Sequence, residues 1–296
     1  MKRIAALLFV ALVARGIAPA TIKVVASTSD LAAIASAVGG DKTEVASIVQ
    51  GAQNPHYIEV KPSYMLKLKK ADIFFIVGLQ LEIWGPQIID GSRNANLRVV
   101  DCSAGITKLE VPAGKVDASS GDVHPYGNPH YWLDPENAKI IAKEMASAYS
   151  ELDGGNADVY NRNLDAFTKE LDAKIVQWKK AMEPLQKMKL VTYHSSFSYF
   201  AHRFGLQIAG YVEPKPGIPP TPSHTLELIS EMRHDSIRII GLEQYFEESV
   251  PDQIAKATGA TVVPLATSVG GRPGTDTYTA LIDYDVSQLV QASGPK

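Results

Sequence analysis

The sequence predicts an α/β protein of two lobes, each built on a parallel-type β-sheet flanked by helices, with one long rigid linker helix between them. Three observations predict it. Short runs rich in β-branched residues alternate with helical segments, and these runs are apolar on both faces, as buried parallel strands are. The pattern occurs twice, before and after the middle of the chain. Between the two copies Tyr160, Leu164, Phe167, Leu171, Ile175, Trp178 and Met182 recur at spacings of three and four, a single helical stripe. A helix over 157–183 runs roughly 40 Å at ~1.5 Å per residue, long enough to act as a strut joining two lobes.

The elements follow in order. TIKVVAST (21–28) reads as a buried strand, and DLAAIASAVGGD as a helix with Asp30 as N-cap and Gly39-Gly40 at its end. TEVASIV is a second strand, KPSYMLKLKKA a helix, DIFFIVG a continuous apolar strand, LEIWGPQII a short helix and LRVVDCS a further strand. Residues 111–127, VPAGKVDASSGDVHPYG, form a loop. LDPENAKIIAKEMASAYSEL is a helix with Asp134 as N-cap and Pro135 in its first position. The second lobe reads KLVTYH (strand), SSFSYFAHRFG (helix), LQIAGYV (strand), SHTLELISEMRHD (helix capped by Ser223), IRIIGLE (strand), SVPDQIAKATG (helix), TVVPLA (strand) and a last helix over 277–291.

Composition narrows the function. The formal net charge of −3 and the lack of a Lys/Arg-rich run argue against nucleic acid as a partner. The first twenty residues, MKRIAALLFVALVARGIAPA, have a basic start, an apolar stretch and small residues at the end, the pattern of a secretory signal peptide. The apolar run is about ten residues, short of the roughly 18 that span a bilayer. Cleavage removes three basic groups and moves the charge to −6. The expected organisation is a signal peptide at 1–20, an N-terminal α/β lobe at 21–155, the linker helix at 156–185 and a C-terminal α/β lobe at 186–296. Cys102 is the one cysteine, which rules out an internal disulfide, and it reads as a buried small apolar residue. No cysteine stands directly after the signal segment, so no lipid anchor on an N-terminal cysteine is expected.

Seven histidines are available for chemistry. His56 and His130 each close an Asn-Pro-His tripeptide in a loop, where proline stiffens the backbone. His194 ends the strand KLVTYH. Ligands of open α/β sheets bind outside the carboxyl ends of the strands, so these three have a common meeting place in the cleft between the lobes. Imidazole is the commonest side chain for zinc and similar ions. His124 is read as solvated, with an accessory or delivery ligand as its other reading. His202 and His234 fall on helices, and His224 lies beside an N-cap. Glu59 is read as a residue that orients the loop of His56.

At VVASTSDLAAIASAVGGD, GAQNPHYIEVKPS, NPHYWLDPENA, YHSSFSYFAHRFGL and EPKPGIPPTPSH the sequence resembles the metal-specific solute-binding proteins of bacterial ABC importers, the cluster A-I zinc and manganese binders. These segments cover nearly the whole mature chain. The resemblance implies metal ligation by His56, His130 and His194, a periplasmic location and an inner-membrane ABC permease as partner. It implies that the chain is not an enzyme. Histidine rather than glutamate at 194 is the zinc-type choice. Thr267, in LATSVGG, stands where the family commonly has a fourth ligand, Asp. Water, Glu243 or Asp276 can substitute. Glu243 ends the strand IIGLE in the same lobe, which favours it over Asp276, although a carboxylate there can equally orient a ligand without binding the ion. Three imidazoles favour Zn2+ over Mn2+, as does the Irving–Williams order.

A monomeric Zn2+ carrier is the leading reading, with a manganese binder of the same family as one alternative. The other is a zinc hydrolase, since three histidines and a water also describe a catalytic site. Against it, the chain lacks His-Glu-x-x-His, Gly-x-Ser-x-Gly and a P-loop. An adhesin role is disfavoured because no surface anchor is expected. Lobe motion is expected to be a small tilt, with 115–127 and the segment around Thr267 as the moving parts. Metal affinity is expected to fall below about pH 6 as the histidines protonate.

Overall fold

The apolar β-branched runs become the inner strands of two sheets. The structure, a computed structural model, describes residues 21–114, 116 and 121–294, so the expected signal peptide and part of the 115–127 loop lie outside the described residues. In the first lobe β1 (Ile22–Ala26), β2 (Thr43–Ser47), β3 (Ile73–Ile76) and β4 (Arg98–Asp101) pair in parallel in the order β2-β1-β3-β4. In the second, β5 (Lys189–Thr192), β6 (Gln207–Tyr211), β7 (Ile239–Glu243) and β8 (Thr261–Leu265) repeat the arrangement as β6-β5-β7-β8. In each sheet the chain adds its second strand on one side of the first and then crosses to the other. The order therefore reverses between β1 and β3 and between β5 and β7, the place where such sheets open a crevice.

Helices α1 (Ser29–Gly39), α2 (Pro62–Lys69), α3 (Gly85–Ser92) and α4 (Pro135–Leu152) cover the first sheet. The alternation of the strands decides which residue faces which layer. Val24 and Phe75 join the core under α1 and α4, while Val25 and Phe74 pack with Trp84 and Ile88 on the other face. The long helix α5 (Ala157–Met182) ends one residue short of its predicted limit, and its predicted stripe is buried except for half-exposed Leu164. The second sheet carries α6 (Ser198–Phe204), α7 (Pro222–His234), α8 (Ser249–Thr258) and α9 (Tyr278–Ser293). Helix α5 packs against α1 and α4 of the first lobe and α9 of the second, and Trp178 Nε1 donates to Asp283 Oδ1 of α9 at 2.8 Å. One core runs through both lobes along this helix. Cys102 is fully buried, as expected. Among the described residues no helix is long and apolar enough to cross a membrane.

Two of the predicted caps are corrected. Thr28, not Asp30, caps α1, its hydroxyl accepting from Leu31 N at 3.3 Å. Thr221, not Ser223, caps α7. In both cases the residue just outside the first turn has the extended backbone that a cap needs. Asp134 caps α4 as predicted, accepting from Glu136 N at 2.9 Å. It also receives Arg203 of α6 through two hydrogen bonds of 2.6 and 2.8 Å, a fork joining the two lobes. Replacing Asp134 with Ala should therefore lower unfolding free energy by about 2 kcal/mol, the sum of a lost cap and a lost charged fork. Denaturant unfolding of the metal-free protein measures this, and an unchanged midpoint would show both contacts to be dispensable.

Candidate metal centre

His56 lies in the loop after β2, His130 in the loop after β4 and His194 just after β5. The two Asn-Pro-His tripeptides are built alike. Asn54 Oδ1 accepts from His56 N at 3.0 Å, and Asn128 Oδ1 accepts from His130 N at 2.9 Å. Each asparagine folds back on the residue two places ahead, which fixes the backbone that presents the imidazole. Trp84 Nε1 then pins the first loop by donating to Pro55 O at 3.0 Å. Glu59, expected to orient this loop, is exposed; Asn54 and Trp84 do that work.

The three rings converge. Their centroids are 5.1 to 5.2 Å apart, and one nitrogen from each lies within 4.8 Å of the other two. His56 Nε2 and His130 Nε2 are 3.1 Å apart. Tetrahedral zinc with bonds of about 2.0 Å needs its nitrogens about 3.3 Å apart, so small shifts suffice. All three residues are buried, His130 completely. Burial lowers the pKa of His56 and His130 well below the ordinary imidazole value, and the neighbouring histidines add to the effect. These two rings are thereby kept neutral with a lone pair free, the form that binds a cation.

Two of the three are aimed by partners on the far nitrogen. Asn128 Oδ1 lies 2.9 Å from His130 Nδ1 and accepts its proton. Asn128 Nδ2 in turn donates to Ser195 O at 2.7 Å, tying the loop to the second lobe. His194 Nδ1 donates to Glu213 in a short contact. These bonds leave Nε2 of each ring as the acceptor, and His194 Nε2 is buried with no hydrogen-bond partner. Glu213 was not singled out in the sequence. The clue was available: EPKPG places a carboxylate just past β6, the strand beside β5.

Glu243 ends β7 across the switch point from His194. Its Oε1 accepts from His194 N at 3.1 Å, while Oε2 is buried without a partner. Burial raises its pKa to about 7, against the opposing pull of His194. Thr267 occupies its hydroxyl otherwise: Oγ1 accepts from Gln244 Nε2 at 2.9 Å, and the carbonyl accepts from Trp132 Nε1 at 2.8 Å. The segment around it is held from both lobes. Asp285 accepts from Ala266 N, Asp30 accepts from Val269 N, each at 2.8 Å, and Ser29 Oγ donates to Val269 O. At Gly51 a Cβ would come within 2.2 Å of Val269 O, so this approach of the lobes requires glycine. These bonds hold a segment that was expected to move. Asp276 is exposed.

His124 departs from its solvated reading. Its ring is 5.1 Å from that of His56, its Nε2 is buried, and burial lowers its pKa to about 4. His202 and His234 are exposed, and His224 lies about 3.0 Å from Tyr211 O through Nε2.

Two α/β lobes on a shared helix, with oriented imidazoles converging where they meet, define a metal-binding protein of the kind that serves ABC importers as substrate-binding component. The chain matches the family described as "Zinc-uptake complex component A periplasmic" over residues 24–292, and it belongs to that family. It is 28% identical over 281 residues to the iron-binding protein YfeA of Yersinia pestis, covering 92% of this chain and 86% of that one. It is 27% identical over 287 residues to the manganese ABC transporter substrate-binding lipoprotein PsaA of Streptococcus pneumoniae, covering 91% and 88%. The crystal structure of ZnuA superposes with a TM-score of 0.80 at 25% identity, covering 93% of this chain and 100% of the other. The family is extracytoplasmic, binds metal ions, works with a membrane permease and is not a family of enzymes.

Proposed function

We propose that this protein captures Zn2+ outside the inner membrane and delivers it to an ABC permease, with His56, His130 and His194 as ligands and the Glu243 carboxylate as the fourth. In this reading it is a monomer, exported by cleavage of residues 1–20 and free in the periplasm, with lobes at 21–155 and 186–296 joined by 156–185. The observation that carries it is the convergence of three buried imidazoles, two of them held by partners on Nδ1. A set with three imidazoles suits zinc better than manganese, which favours oxygen donors. Competition titration of the metal-free protein should give one Zn2+ per chain, bound at least about tenfold more tightly than Mn2+. Tighter binding of Mn2+ would move the assignment to the manganese alternative.

Proton release tests the fourth ligand. Glu243 has a folded pKa of about 7, raised by burial. A raised carboxyl pKa favours the folded state at low pH and loses that contribution as pH rises through about 7. A ligand must be ionised, so binding Zn2+ should expel about half a proton from Glu243 at pH 7 and nearly one at pH 6. His56 and His130 add little, because their depressed values keep them neutral at both pH values. For the same reason, proton competition at these two rings sets in below the pH 6 expected from an ordinary imidazole. Calorimetry in buffers of different ionisation enthalpy counts the protons, and a count of zero at pH 6 would assign the fourth position to water.

A further inference from the structure

The two Asn-Pro-His turns are alike in backbone and differ in what lies behind them. The Asn54 side chain makes only its bond to His56 N among the described residues. Asn128 uses both ends of its amide. Its Oδ1 accepts from His130 N and from His130 Nδ1, each at 2.9 Å. Its Nδ2 donates to Ser195 O at 2.7 Å and to Glu110 Oε2 at 2.8 Å. A backbone N–H can only donate and a carbonyl can only accept, so this orientation of the amide is the one its partners allow. It also makes Nδ1 the protonated nitrogen of His130.

Glu110 stands at the seam of the lobes. It follows β4 in the loop before Asn128 and adopts a φ of 53°, a left-handed backbone uncommon for a residue other than glycine. Strain of this kind persists where surrounding contacts over-determine it, and it collects at functional sites. Three donors converge on the carboxylate. Oε2 accepts from Asn128 Nδ2, while Oε1 accepts from Ser198 Oγ of α6 at 2.7 Å and from the Tyr211 hydroxyl of β6 at 3.4 Å. Helix α6 clamps the adjoining backbone as well. The Tyr199 hydroxyl accepts from Leu109 N and donates to Asn128 O, each at 3.0 Å, and Asn128 N donates to Leu109 O at 2.9 Å. The turn itself requires none of these contacts, since Asn54 builds it without them. What they add is a chain of hydrogen bonds from a carboxylate through an amide to Nδ1 of His130. His194 has a shorter version, with Glu213 bonded to its Nδ1 directly.

We propose that Glu110 is a positioning residue of the metal site, its carboxylate holding and polarising the Asn128 amide so that His130 is aimed and made a stronger donor to the ion. The inference rests on the reading of the three histidines as the metal's ligands. A carboxylate behind a ligating imidazole raises its basicity, and in a chain of hydrogen bonds each bond polarises the next. The charge of Glu110 thus acts on His130 at one remove. Ser198 and Tyr211 belong to the second lobe and Asn128 to the first, so the chain is complete only while the lobes stay in contact.

Glu110→Gln keeps the size and one acceptor oxygen but removes the charge. Chelator competition with Zn2+ alone should show affinity reduced about tenfold, the lower end of the range for groups that orient a ligating histidine. Ser198→Ala removes a brace on the same carboxylate and keeps its charge, and its affinity should stay within about threefold of wild type. Thermal melts of the metal-free variants check that each is folded. A spectroscopic readout separates polarisation from bracing. With Co2+ loaded in place of Zn2+, the Nδ1 protons of His130 and His194 should give separate paramagnetically shifted resonances in 1H NMR. Glu213→Gln identifies the His194 resonance by moving it, and Glu110→Gln should move the other and leave that of His194 in place. Wild-type affinity in Glu110→Gln, an equal loss in Ser198→Ala, or a His130 resonance that stays put overturns the proposal. The underlying reading fails on the wild type instead: a protein that takes up no Zn2+, or a Co2+ form without shifted imidazole protons, overturns that reading and this proposal with it.

Discussion

His130→Ala is expected to abolish stoichiometric zinc binding, weakening affinity by more than about a hundredfold. His130 is fully buried and sits at the middle of the cluster, 3.1 Å from His56 Nε2 and ring to ring with His194. Altering a group that merely orients a metal ligand typically costs 10–100-fold in affinity, so loss of a ligand should exceed that range. The fold should survive. Removing an imidazole kept neutral by burial leaves a cavity but no unpaired charge, and Asn128 retains its bonds to Ser195 O and Glu110. A chelator-competition titration, with a thermal melt of the metal-free variant as control, measures both effects. Unaltered zinc affinity would show that the cluster is not where the metal binds.

Glu213→Gln is expected to weaken zinc binding by about 10–100-fold while leaving the count of ligands unchanged. Glu213 and His194 are both buried, and the carboxylate holds Nδ1 of the ring so that Nε2 faces the other histidines. A carboxylate accepting from Nδ1 also makes the ring a stronger donor to the metal. Glutamine keeps the shape and one carbonyl oxygen but not the charge, so the ring remains aimed and loses basicity. X-ray absorption of the loaded variant should show the wild-type set of nitrogen neighbours together with the lower affinity. Wild-type affinity in this variant would reduce Glu213 to a structural support for the turn at Gly217.

The fold was legible because its signals are local or periodic. Short apolar runs rich in β-branched residues and bounded by turn residues read as buried strands of a parallel sheet, and a three-and-four stripe from Tyr160 to Met182 reads as one long helix face. Caps were less legible. Asp30 is a good capping residue by type, yet it lies inside the first turn of α1, where it bonds to a backbone amide 239 positions away. The candidate ligands could be named because histidine is scarce in this chain and the two Asn-Pro-His turns set their own geometry through Asn54 and Asn128. Glu213 and His124 were harder. The importance of each comes from a contact with a residue far along the chain, which the residues beside it in sequence do not specify.

By itself the sequence determined the two α/β lobes, the helix between them and the three imidazoles, since these follow from residue type, period and local turn chemistry. The tertiary structure alone decided what surrounds those imidazoles. It set Glu213 against His194, gave the Thr267 hydroxyl to Gln244, left one Glu243 oxygen unpaired and brought His124 beside His56. Such pairings depend on where strand ends and loops meet after the chain has folded. Directional bonds then aim His130 and His194, burial keeps His56 and His130 neutral, and neither acts until the groups share a site.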